Sequence, residues 1–220
     1  MGKLILIRHG HTPLNAAGEE ERLRGWLDIP LDEQGLQEAV ETAQRIAHYP
    51  VAAVYSSDLR RARQTAEIVS KVTKASVTTT EELRPWNLGI FAGQKLREII
   101  PFLNQLNENP GLPAPSGESF YEFYGRYSRR LTELLNLAEQ SSGYVVAVTH
   151  VRNLLATRTI LEHGDRSRVP VSGGPRTGTL TLIEKEAGTW KMRESAAPAT
   201  AALSFDFKSN FEWSHELTVS

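Results

Sequence analysis

The chain has 220 residues with 25 basic and 26 acidic side chains, a formal net charge of −1 and no cysteine. That balance provides no field for nucleic acid or an anionic membrane surface, and the missing thiols exclude a disulfide framework, a thiolate nucleophile and a thiolate metal site. The apolar run behind Lys3 is broken by Arg8, too soon for a signal peptide or a membrane span, and Leu6 stands where myristoylation needs Ser or Thr. The expectation is a cytoplasmic, single-domain protein of residues 1–195 followed by a tail over 196–220, with a domain long enough for a substantial core.

Residues 4–7 are Leu-Ile-Leu-Ile, an unalternating run that suits a strand buried on both faces of a parallel sheet. It stops at Arg8-His9-Gly10. Residues 16–30 are polar and loop-like. Asp32 is placed to cap a helix over about 33–48, where Leu36, Ala39, Val40, Ala43, Ile46 and Ala47 share a face. A strand over 51–55 follows Pro50. Ser56-Ser57-Asp58 then offers a cap, with Asp58 at the start of a helix over 59–73. Residues 76–79 are β-branched and predict a third strand. Residues 81–117 carry Pro85, Trp86, Gly89, Gly93, a helix near 95–107 and a Pro/Gly-rich return, and read as an excursion over one sheet edge, a place where active sites are often covered. A long amphipathic helix over 118–140 precedes the apolar run 144–148 and Thr149-His150. A helix over 152–161 and a hairpin of 179–184 with 189–194 complete the domain. For the aromatic tail, with Phe205, Phe207, Phe211 and Trp213, a homodimer arm and a cover for the domain's own surface are equal expectations.

Alternating strands and helices imply an α/β fold, a mostly parallel central sheet sandwiched between two helical layers. Three apolar strands end directly before polar clusters: Arg8-His9, Ser56 through Arg61, and Thr149-His150. Parallel strands carry such clusters to the same sheet edge, where open α/β sheets bind ligands. Taken alone, Arg8-His9-Gly10 would more simply end a strand. Two histidines, at least two arginines and a helix amino terminus meeting there make an anion pocket suited to phosphate or sulfate. A neutral imidazole in it can attack phosphorus and form a phosphoramidate. His9 and His11 alternate, yet no nearby carboxylates with suitable spacing complete a metal site, so no metal and no other cofactor is expected.

Four motifs in order then carry a family resemblance. Arg8-His9-Gly10-His11-Thr12-Pro13-Leu14-Asn15, Gly25-Trp26-Leu27-Asp28-Ile29-Pro30-Leu31 with Gly35, Ser56 through Ala66, and the strand before Thr149-His150 resemble the histidine phosphatase superfamily, which includes the cofactor-dependent phosphoglycerate mutases. The likeness spans roughly residues 3–185. It implies a phosphoglycerate-mutase-like fold, His9 as the phosphorylated nucleophile, and Arg8, Arg61 and His150 as catalytic groups that form the phosphate pocket, with Asn15 as a further donor. Asp58 as cap would set Arg61 in the first turn beside the anion, while Arg60 and Arg63 point to solvent.

Two departures stand out. The family motif Leu-Arg-Glu, whose glutamate acts as general acid in many members, is Leu83-Arg84-Pro85 here, and the Gly after the second histidine is Val151. Proline gives no proton. Either Glu81, Glu82 or His11 replaces the acid, or the leaving group needs little protonation, or the protein is catalytically weak; general-acid help is worth ~10²–10⁴ in rate. The expected function is a phosphatase acting on a phosphorylated small molecule, with neither nucleic acid nor membrane as partner. The alternatives are mutase-type phosphoryl transfer and a phospho-ligand or phosphoprotein binding module. Only Lys95 and Arg97 supply cations within 94–117, which argues against a mutase's carboxylate site; Arg176 is the further cation to locate. Trp26, Trp86, Phe91, Phe102, Phe120 and Tyr121 are cleft candidates with core packing as the default.

Overall fold

The computed structural model describes residues 2–15, 20–162 and 173–194. The tail expected over 196–220, with its proposed dimer arm, lies outside these residues. The elements, in chain order, are β1 (Lys3–Arg8), α1 (Glu33–Ile46), β2 (Val51–Ser57), α2 (Arg60–Thr73), β3 (Val77–Thr80), α3 (Leu96–Glu108), α4 (Phe120–Gln140), β4 (Tyr144–Thr149), α5 (Val151–Glu162), β5 (Leu180–Glu186) and β6 (Thr189–Glu194). They build one six-stranded sheet in the order β3-β2-β4-β1-β5-β6. The first four strands are parallel, and β5 and β6 add an antiparallel hairpin against β1. Among the described residues, no helix is long and apolar enough to cross a membrane.

The unalternating run of β1 is explained by its central place. Leu4 and Leu6 pack into the core beneath α3, α4 and α5, whereas Ile5 and Ile7 pack against α1 and α2, and all four are fully buried. In β4, Val145 and Ala147 face the first layer, and Tyr144, Val146 and Val148 face the second. Each such side chain removed from water contributes about 1.5–3 kcal/mol, so both layers are fixed to the strands on which the site depends. The result is the α/β sandwich that the strand–helix alternation implies.

Helix starts are set partly by local and partly by distant groups. Asp32 caps α1, its carboxylate accepting from the Gly35 amide at 2.9 Å. Ser119 and Glu122 form a reciprocal capping box on α4. The start of α2 differs from the sequence expectation: Leu59 occupies the cap and offers no side-chain acceptor. Asp28, 32 residues upstream, instead accepts from the Arg60 amide at 2.6 Å. Asp58 is drawn away by a bidentate pair with Arg84, whose Nε lies 2.8 Å from Oδ1. A forked guanidinium makes two charge-assisted bonds to a carboxylate, more than one helix amide offers.

Candidate active site

β1 and β4 are adjacent and in register, with Arg8 opposite Thr149. Their carboxyl ends therefore place His9 and His150 together, ring centroids 5.0 Å apart and inclined at 61°. The His9 amide donates to the Thr149 carbonyl at 3.0 Å, and the Arg8 amide to the Thr179 carbonyl at 3.1 Å, so both neighbouring strands hold the turn. Arg61, in the first turn of α2, reaches across from the side and is 1% exposed. Its terminal nitrogens donate to the carbonyls of Leu27 and Gly25 at 2.7 and 2.8 Å, and its Nε to His9 Nε2 at 3.3 Å.

These contacts define the state of His9. Nδ1 lies 2.7 Å from the Gly10 carbonyl, which can only accept, so Nδ1 carries the proton. Nε2 is left with its lone pair, consistent with its accepting from Arg61 Nε. Burial holds the His9 pKa well below its ordinary value, and the cations Arg61 and Arg8 hold it lower still. At neutral pH His9 is thus an uncharged imidazole with a basic nitrogen pointed at guanidinium groups. His150 is likewise held neutral, by burial first and then by Arg61.

The loop below His9 owes its shape to two glycines. A Cβ on Gly10 would lie 2.2 Å from the Gly35 carbonyl oxygen, and one on Gly35 would lie 2.0 Å from that of His11. The backbones of the loop and of α1 touch there, which only glycine permits. Thr65 adds a bridge, accepting from the Gly10 amide at 3.2 Å and donating to the Arg61 carbonyl at 2.9 Å.

A cavity of about 280 Å³ opens over these groups. Arg8, His9, Arg61 and His150 line it, as the sequence groups them. Burial, reinforced by mutual repulsion with Arg24, pulls the Arg61 pKa down to about 9 and the Arg8 pKa down to about 10. Arg8 Nε and both ring nitrogens of His150 are buried and have no hydrogen-bond partner among the described residues. Buried donors left in that state are costly unless an acceptor completes them. Chemically, the arrangement is a set of donors and cations converging on one basic nitrogen, which suits a tetrahedral oxyanion.

The remaining candidates stand elsewhere. Asn15 lies outside the cavity lining; its Oδ1 accepts from the amide and hydroxyl of Thr12 at 3.1 and 2.8 Å, shaping the loop. His11 Nδ1 pairs with Asp32 at 2.6 Å. Glu81 is paired with Arg84 at 3.1 Å and Glu82 lies beside Arg130 at 3.9 Å. None of these three reaches the cavity wall, and neither do Lys95, Arg97 and Arg176. Lys95 pairs with Glu20 instead, at 2.8 Å. Of the six aromatic candidates, Trp86 alone lines the cavity; Trp26 stacks under Arg84, Phe91 packs on Phe102, Phe120 belongs to the core and Tyr121 is exposed.

Sequence reasoning missed Glu21, Arg24 and Arg152, all of which line the cavity. Glu21 is the one carboxylate on it among the described residues, 3.4 Å from Arg24. Its loop is tied to the excursion by the Leu23 amide on the Gln94 carbonyl at 2.9 Å and the Leu96 amide on the Glu21 carbonyl at 2.8 Å. A polar loop between motifs gives no period from which such a placement could be read. Arg152 did have a local signal, two residues after His150 on the strand-end helix.

Comparison with known proteins agrees with this geometry. The family model described as "Histidine phosphatase superfamily (branch 1)" matches residues 4–197. A curated relative, "Probable phosphoglycerate mutase GpmB" of Yersinia pestis, is 32% identical over 152 residues, which is 67% of this chain and 69% of the relative. Among solved structures, a mycobacterial glucosyl-3-phosphoglycerate phosphatase superposes with a TM-score of 0.75 at 25% identity, covering 90% of this chain and 99% of that one. A phosphoserine phosphatase variant from Entamoeba histolytica in complex with phosphoserine gives 0.72 at 25% identity, covering 87% and 95%. With its model spanning nearly the whole chain, its fold shared and its strand-end histidines facing one another, the chain belongs to branch 1 of the histidine phosphatase superfamily.

Proposed function

We propose that the protein is a phosphatase that hydrolyses a phosphomonoester of a small molecule through a phosphohistidine on His9. The observation that carries this reading is the neutral imidazole of His9 with its Nε2 lone pair at a cavity lined by buried Arg8, Arg61 and His150, where Arg8 Nε and the His150 ring have no hydrogen-bond partner among the described residues. Nε2 attacks phosphorus, and the bond from phosphorus to the leaving oxygen breaks. Arg8, Arg61 and His150 hold the charge that develops on the equatorial oxygens. Water then attacks the phosphohistidine, the P–N bond breaks, and inorganic phosphate leaves with His9 neutral again.

Pro85 lines the cavity where the family motif carries an acid, so the proton for the leaving oxygen has another source. Glu21 is our assignment: it gives a proton to the leaving alkoxide and takes one from the attacking water. Its place on the cavity wall supports this over Glu81, Glu82 and His11. The mutase reading is favoured by the name of the Yersinia relative, but neither Lys95 nor Arg97 lines the cavity.

Rapid acid or alkaline quench during turnover of an aryl phosphate tests the reading. The expected result is an acid-labile, alkali-stable phosphoryl group on His9, and at least about 10⁴-fold loss of turnover in His9→Ala, as for other nucleophile deletions. Undiminished turnover in that variant overturns the mechanism. Incubation with 3-phosphoglycerate separates hydrolysis from exchange: release of inorganic phosphate supports the phosphatase, and appearance of the 2-isomer supports the mutase.

A further inference from the structure

Besides its charged groups, the cavity has an apolar lining. It is made of Leu23 from the loop before α1, Trp86 and Leu88 from the excursion, Leu96 and Leu103 from α3, and Leu155 from α5. Leu96 and Leu103 are seven residues apart and so share one face of α3. Trp86, Leu88, Leu103 and Leu155 are at most 6% exposed, which fixes them as wall. The polar edge of Trp86 is turned elsewhere, its Nε1 donating to the Glu118 carbonyl at 2.9 Å, so its ring presents only apolar surface.

From this lining we propose that the site is selective for phosphate monoesters of a neutral, apolar alcohol or phenol, with the leaving group a single aryl ring or a short alkyl chain against the leucine–tryptophan wall. This rests on the phosphatase reading above and specifies its substrate class. Size agrees. Small-molecule pockets commonly run from about 300 to 1,000 Å³ and about 150 Å³ suffices for benzene, so 280 Å³ has room for a phosphoryl group and one ring but little more. Hydroxyl or carboxylate groups on the leaving side would give up water for leucine side chains that return no hydrogen bond. Two charged groups border the wall. Glu21 repels a second anion. Arg152 stands over Trp86, its guanidinium carbon 5.8 Å from the ring centroid, a cation–π distance that an aryl leaving group would extend. A carboxylate-bearing ester that used Arg152 instead is the rival outcome.

The decisive comparison is kcat/KM for esters whose leaving alcohols have similar acidity: 2-phenylethyl phosphate against glycerol 3-phosphate, 3-phosphoglycerate and phosphoserine. Each buried methylene-sized group is worth about fourfold in binding, so the expected preference for 2-phenylethyl phosphate is at least about tenfold, carried mainly by KM. Leu96→Asn, on the partly buried part of the wall, should reduce that ratio severalfold, mainly through KM for 2-phenylethyl phosphate. Equal or greater kcat/KM for 3-phosphoglycerate or phosphoserine, with phosphohistidine still formed, overturns the substrate class and leaves the phosphatase reading standing. Absence of both turnover and phosphohistidine with every ester overturns the phosphatase reading and this proposal with it.

Discussion

Of the side chains lining the cavity, Arg8, His9, Arg61 and His150 come from the ends of β1 and β4 and from the first turn of α2, whereas most of the apolar ones come from the excursion, α3 and α5. The first set is held by the sheet's own hydrogen bonds, such as the His9 amide on Thr149, and by strands whose side chains are fully buried. The second is held by ties between loops and helix ends. Thr149 and Asn153 both donate to the Leu83 carbonyl, at 2.9 and 3.3 Å, and Arg126 donates to the carbonyls of Glu82, Arg84 and Pro85. The proposed reacting groups therefore rest on the sheet, and the proposed substrate wall on loops and helix ends outside it.

Damage at the strand-end set should appear in the chemical step. Arg61→Met is expected to lower kcat by about 10²–10³-fold, the cost of losing one oriented donor at developing charge. Arg61→Lys should recover little, because an ammonium cannot contact His9 and the Leu27 and Gly25 carbonyls in one fork. A full recovery by lysine would mean that charge alone matters there. Glu21→Gln sharpens the contrast: about 10²-fold slower hydrolysis of alkyl phosphates, with aryl phosphates much less affected, identifies it as the proton donor. Equal losses on both would remove it from that role.

Between pH 6.5 and 5.5, stability should report on the two buried histidines. His9 and His150 have folded pKa values below the unfolded value near 6.5. Their contribution is fully present above pH 6.5 and is lost as pH falls through that value toward the folded pKa values. Within that window each costs about 1.4 kcal/mol per pH unit. Urea unfolding at pH 6.5 and 5.5 should show the loss, and His150→Gln should remove about half of it. The smallest effect belongs to Asp58→Asn, which breaks the Arg84 pair at the base of the excursion. This pair is partly exposed, so about 1 kcal/mol of stability is expected, with turnover changed only a few-fold. A much larger fall in phosphohistidine formation would join the excursion to the strand-end set.

How far the sequence could be read follows the same line. Arg8, His9, Arg61 and His150 were legible because each follows an apolar run, and parallel strands must bring such ends to one edge. Asp58 was misread because Ser-Ser-Asp is a complete capping signal locally, while its true partner Arg84 lies 26 residues on. The cap itself comes from Asp28, across a similar gap. Glu21 sits in a stretch with no periodicity, and its place on the cavity depends on backbone pairing with residues 94–96 that no local pattern encodes. The apolar wall was hidden in the general excess of leucine, since a leucine facing a cavity and one in a core have the same sequence signature.

One consequence concerns two atoms the chain does not have. Because neither Gly10 nor Gly35 bears a Cβ, the loop closes onto α1 and the Gly10 carbonyl is pinned toward His9 Nδ1. Which imidazole nitrogen keeps its lone pair is therefore decided by backbone shape. A methyl group at position 10 or 35 would have to push the loop off the helix, and the imidazole would lose the acceptor that keeps its proton on Nδ1. An alanine there would upset the state of His9 without removing a single polar side chain.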